Sequence, residues 1–177
     1  MTTYSIPPQP PVEANTRRLA AGALTFGVEY RELDPESLRA TYAGNDEQLA
    51  ELEARSPDGG FFDSGVTIHV CGTDDGYEYV RFDVFDDEPH YHYVHRHDDG
   101  TIENEVIEFD GTANGDMLVW AIGRLRTRLP EMLTAAGGTR LVGRLDMTVI
   151  GPVLDEVATM AETARRRPHE KKSRNQD

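Results

Sequence analysis

At 177 residues with a formal net charge of −14, the chain is read as one acidic domain. From Arg165 onward the sequence holds six basic and two acidic residues, which leaves 12 Lys and Arg against 30 Asp and Glu, a charge of −18, on the rest. A body so acidic repels nucleic acid and anionic membrane, no stretch reaches the ~20 apolar residues of a membrane span, and the single cysteine, Cys71, excludes an internal disulfide framework and fits a reducing, cytoplasmic location.

Residues 1–15 carry Pro7, Pro8, Pro10 and Pro11 and are expected to form a flexible arm. Thr16-Arg17-Arg18 followed by Leu19-Ala-Ala-Gly-Ala-Leu-Thr-Phe-Gly imitates an export signal. The run is short, lacks a small-residue cleavage site and passes straight into Glu29-Tyr30-Arg31-Glu32, so export is not expected. Residues 16–164 are expected to be a single α+β domain. Phe26, Val28 and Tyr30 alternate with polar neighbours in a first strand, Thr25 to Leu33. Asp34-Pro35-Glu36-Ser37 starts a helix, with Asp as cap and Pro at the first helical position. A second helix spans Asp46 to Arg55, and Ser56-Pro57-Asp58-Gly59-Gly60 ends it.

Val66, Ile68 and Val70, then Val80, Phe82 and Val84, alternate with polar residues on either side of Thr73-Asp74-Asp75-Gly76. A third strand follows Pro89, Asp98-Asp99-Gly100 turns the chain, and a fourth strand holds Val106, Ile107 and Phe109. Leu118, Ala121, Ile122, Leu125 and Leu129 mark one face of a long helix, from Gly115 to about Ala136. Pro130 should kink or split it, and Gly137-Gly138 should close it. A last helix is placed at about Pro152 to Arg166, and residues 165–177 are expected to be a basic, disordered tail. The predicted fold is a two-layer α+β arrangement. An antiparallel meander of four to five strands packs on the long helix, burying Val66, Ile68, Val80, Phe82, Val84 and Ile107 against Leu118, Ile122, Leu125 and Leu129. Trp120 is expected at a sheet edge or interface.

Chemistry concentrates in Glu88 to His97, which holds four of the six histidines: His90, His92, His95 and His97. Histidine is the commonest metal ligand and the side chain most easily switched near neutral pH. In a strand, His90 and His92 share one face, while His95 and His97 share the other with Tyr91 and Tyr93. One pair can therefore bind a divalent metal such as Zn, Fe or Mn, with a carboxylate from Asp83, Asp86, Glu88, Glu103 or Glu105. Asp86 and Glu88 are favoured, His95 can join if the strand curls back, and Tyr91 or Tyr93 is a candidate proton donor. An exposed His/Tyr strand without a metal is the bland alternative. His69 is read as a satisfied core histidine and Cys71 as a small buried hydrophobe. A cupin pattern fails, because Arg96 or His97 stands where its glutamate belongs. Phosphate loops, Gly-x-Ser-x-Gly and His-Glu-x-x-His are absent. The second reading is a non-enzymatic accessory subunit or binding module, with a protein partner or homo-oligomer. Acids flank the histidines closely enough that some should titrate above about 6.5 when metal-free.

The run Arg81-Phe-Asp-Val-Phe-Asp-Asp-Glu-Pro-His-Tyr-His-Tyr resembles the core of a small bacterial family of unknown function. So do Gly115-Asp116, Trp120 and Leu125-Arg-Thr-Arg-Leu-Pro-Glu-Met-Leu133. The resemblance covers about residues 25 to 145 and implies no activity. It implies that the segment Asp83 to Tyr93 and the long helix belong to one compact unit, with His95-Arg96-His97 less clearly inside the shared pattern.

Overall fold

Period-two alternation in the central strands decides the architecture. The computed structural model describes residues 1–55 and 60–166. Among these, seven strands form one antiparallel sheet: β1 (Thr2–Tyr4), β2 (Arg17–Ala21), β3 (Leu24–Leu33), β4 (Asp63–Gly72), β5 (Glu78–Phe85), β6 (His90–Arg96) and β7 (Ile102–Glu108). The helices are α1 (Pro35–Thr41), α2 (Asp46–Arg55), α3 (Gly111–Asn114), α4 (Met117–Thr127), α5 (Leu129–Ala135), α6 (Thr139–Val142) and α7 (Met147–Arg165). The order β1-β7-β6-β5-β4-β3-β2 is a six-strand meander with β1 added beyond its last strand.

The apolar set of the alternation packs on α4, α5 and α7. Phe26, Val28, Val66, Ile68, Val70, Val80, Phe82 and Val84 join Leu118, Ile122, Leu125, Leu129, Leu133, Leu154 and Val157 in one core. Each such side chain contributes about 1.5–3 kcal/mol when fully buried. Ile107, expected in this core, is only half-buried near the sheet edge, where it pairs with Tyr91. Trp120 packs its ring near Phe82, Tyr91 and Phe109 over the outer strands.

The sheet exceeds the expected four to five strands because of β1 and β2. The run that imitates an export signal is the β2–β3 hairpin, turned at Gly22 with φ +65°. The expected long helix is two helices. Pro130, second residue of α5, has no N–H, and the chain breaks at Arg128 between α4 and α5. Gly137 (φ +75°) and Gly138 close α5 by donating to Thr134 and Leu133, as an αL cap requires. α1 starts as read, with Asp34 and Ser37 bonding reciprocally. α7 begins five residues before the expected Pro152, because Asp146 caps it through the Thr148 N–H. Arg165 is still helical and reaches Asp116 and Glu162, so the tail does not begin there. The terminator at residues 56–59 and the tail from residue 167 lie outside the described residues.

The Pro-rich segment is not a free arm, and the sheet is not covered on one side alone. Thr2 pairs with Val106 at one edge, and Arg17 pairs with Val28 at the other. The intervening residues therefore cross the polar face of the sheet. There Ile6, Leu38, Tyr42 and Leu52 form a second, smaller cluster. Proline cannot extend a sheet, but its carbonyls accept. The Tyr42 hydroxyl donates to Pro7, Arg31 donates to Gln9 and Pro10, and Arg81 donates to Gln9. Leu125 is wholly buried at the centre of the larger core. Leu125→Ala is expected to lower unfolding free energy by about 2–5 kcal/mol, measured by urea denaturation.

Candidate metal centre

The second set of the alternation is polar. Glu29 and Arg31 on β3, Thr67 and His69 on β4, Arg81 and Asp83 on β5, and His92 on β6 all point away from the helices. All of these side chains are buried. Buried polar groups must be hydrogen-bonded to be tolerated, and these are. They form two linked clusters.

The first cluster centres on Asp83. The β5–β6 hairpin is symmetric about Asp86 and Asp87, which sets Asp83 opposite His90 and Arg81 opposite His92. His92 Nε2 lies 3.0 Å and His90 Nε2 3.4 Å from the same Asp83 oxygen, Oδ2. The other oxygen accepts from the Thr67 hydroxyl at 2.6 Å. Behind the rings, His92 Nδ1 lies 2.8 Å from Asn104 Oδ1 and His90 Nδ1 lies 2.7 Å from the Glu88 carbonyl oxygen. Both of those oxygens can only accept, so each Nδ1 carries the proton. The ring nitrogens facing Asp83 are then lone pairs unless the ring is charged. Lone pairs facing a carboxylate oxygen need a cation between them, either a proton or a metal ion. One ligand atom from each of Asp83, His90 and His92 lies within 4.8 Å of the others.

The electrostatics supply only part of that cation. Burial works against a charged His90, but the Asp83 carboxylate outweighs it and lifts the imidazole above its ordinary value. For His92 burial wins, and neighbouring His90 adds to it, so that ring is held below its ordinary value. Both rings face the one Asp83 carboxylate, and burial is offset by it at His90 but not at His92. Burial would raise Asp83, yet the bonds to His90 and His92 and the Arg81 charge hold it well below the usual carboxylate range.

The second cluster surrounds His69. Its Nδ1 lies 2.5 Å from Glu78 and its Nε2 3.1 Å from Glu29. Glu78 and Arg81 are three residues apart and would face opposite ways in a regular strand. A register shift opposite Val70 and Cys71 turns them to one face, where Arg81 donates to both Glu78 oxygens. Burial disfavours a charged His69, but Glu29 and Glu78 raise it above its ordinary value. Burial likewise opposes the charged carboxylates, yet His69 and Arg31 hold Glu29 below its ordinary value, and Arg81 and His69 hold Glu78 down at about 2. The raised imidazole gives stability that is full below its unfolded pKa of about 6.5 and is lost as pH rises through the folded value. The lowered carboxylates give stability that is present above their unfolded values and lost as pH falls through the folded ones. His69→Ala, which removes one partner of a buried ionic cluster, is expected to cost about 3–5 kcal/mol near pH 6. The deficit should shrink as pH rises through the folded-state pKa, read from urea unfolding over that range.

Among the residues singled out in the sequence, the structure brings His90 and His92 together with Asp83. Asp86 and Glu88 sit in the exposed β5–β6 turn, and Glu88 enters through its backbone carbonyl rather than its carboxylate. His95 lies across the sheet, beside Gly137 and stacked on His97 at 4.4 Å, because the strand stays flat through Arg96. Tyr91 and Tyr93 also face the helices and cannot serve the cluster. The hairpin symmetry was the signal for Asp83. Asn104 had none, since a lone Asn among charged residues of a strand reads as exposed. His69 and Cys71 are buried as expected, and burial raises the Cys71 thiol to about 11.

No helix among the described residues is long and apolar enough to cross a membrane. No curated protein and no solved structure matches the chain. A family model does match, over residues 18–161, which takes in β2 through most of α7 and therefore every side chain of both buried clusters. The chain belongs to the family described as Domain of unknown function (DUF7700).

Proposed function

We propose that the protein binds one divalent metal ion through Asp83 Oδ2, His90 Nε2 and His92 Nε2. One observation carries the reading: both rings give their Nδ1 proton to a carbonyl oxygen and turn Nε2 onto the same carboxylate oxygen. Metal-ligating histidines are oriented in this way by outer partners, which fix the tautomer and raise ligand basicity. Two imidazoles and one carboxylate suit Fe, Mn or Zn and leave coordination positions for water or a small molecule. Such an ion would polarise a bound oxygen donor or acidify a bound water.

Untagged protein should take up close to one equivalent of Co(II) or Zn(II), measured by calorimetry and elemental analysis. His92→Ala and Asp83→Asn should abolish the uptake. Asn104→Ala should weaken it by about 10–100-fold through loss of ring orientation. Asp86→Ala and His95→Ala should leave it unchanged. Ligation needs neutral imidazoles, so affinity should rise as pH climbs through the histidine range. Substoichiometric metal indifferent to His92→Ala, Asp83→Asn and Asn104→Ala would refute the assignment.

A further inference from the structure

The buried group forms part of the floor of a cavity of about 580 Å³. That volume is within the range of small-molecule sites, about 300–1,000 Å³. The floor is polar, with Arg31, Arg81, Asp83, His90, His92 and Asn104. The walls are mostly apolar, with Ile6, Tyr42, Phe61, Phe62, Phe85 and Phe109, while Asp63 and the solvent-exposed Asp87, Glu88 and Glu108 also line the cavity. We propose that this cavity binds a small apolar carboxylate, its anionic head on the metal and its hydrocarbon body against the aromatic walls. The proposal rests on the metal reading above.

Charge selects the head group. With His90 and His92 neutral, as ligation requires, Glu29, Glu78 and Asp83 oppose Arg31 and Arg81 in the polar layer, which then carries one negative charge with His69 neutral and none with His69 cationic. A divalent ion turns either state positive. Uncompensated charge in a buried layer is costly, and an anionic ligand removes it. A carboxylate fits better than a phosphate. Arg31 donates through both terminal nitrogens, and Arg81 through Nε and one terminal nitrogen, to Gln9, Pro10 and Glu78. Neither guanidinium presents a two-pronged fork to a third oxygen. Shape selects the body. Phe85 meets the His90 ring edge-on at 5.6 Å, so an apolar wall begins at the ligand atoms themselves.

The test is titration of the full-length, Co(II)-loaded protein with benzoate, acetate, benzyl alcohol and phenyl phosphate, read by the visible Co(II) spectrum. Benzoate is expected to shift the spectrum and to bind at least about tenfold more tightly than acetate, the ring adding buried apolar area. Phe62 stands partly exposed at the cavity, so Phe62→Ala should fold. That variant should weaken benzoate several-fold while leaving acetate and Co(II) affinity unchanged. Equal affinity for benzoate and acetate, or preference for benzyl alcohol or phenyl phosphate, overturns the proposal. A bound Co(II) whose spectrum benzoate does not move overturns the ligand and leaves the metal reading standing. A protein that takes up no Co(II) overturns both.

Discussion

The central strands carry ionisable side chains on a face that the rest of the chain buries, and satisfying those charges is the constraint on which the structure depends. An unpaired charge moved out of water costs several kcal/mol. Here Glu29 and Glu78 meet His69, and Asp83 meets His92, across adjacent strands, while Arg81 pairs with Glu78 and Arg31 with Glu29 within their own strands. The cross-strand partners meet because antiparallel register sets side chains of one face close to one another. Register and polar satisfaction therefore support each other. A slip of one residue would turn every one of these charges into the apolar core.

The same demand explains the cover. A layer of carboxylates, guanidiniums and imidazoles needs acceptors that do not add charge, and proline-rich backbone supplies them. The carbonyls of Pro7, Gln9 and Pro10 accept from Tyr42, Arg31 and Arg81, and an extended path keeps such carbonyls accessible. Arg31 and Arg81 both donate to Gln9, joining β3 and β5 to one point on the crossing chain. Glu29 reaches the same segment through the N–H of Val12. The segment that composition marks as unstructured is held by the charges beneath it.

How much was legible follows from the range of the signal. Alternation within a strand is local, so the apolar faces of β4 and β5 were readable, as were the pairing of His90 with His92 and the break at Pro130. The caps at Asp34 and Gly137 are local too. The partners of β1 were not readable, because three residues carry no periodicity and their ladder lies about a hundred positions away in sequence. The choice of Asp86 and Glu88 over Asp83 followed sequence proximity, whereas a hairpin brings together residues equidistant from its turn. Composition describes what a segment can do alone, whereas Gln9 and Pro10 are held by Arg31 and Arg81 from strands distant in sequence.

The crossing chain also has a place in the order of folding. The meander from β2 to β7 closes through neighbours in sequence, whereas Thr2 reaches Val106 only after the last strand of that meander exists. Contacts of such long separation carry the largest loop-closure entropy and form late. The ladder they close is three residues long, so it is also among the least costly to reopen. Residues 2–16 are thus laid over a meander whose own strands close without them. The polar floor is therefore covered last, by a segment joined to the sheet through its edge ladder and the carbonyls that Arg31 and Arg81 reach.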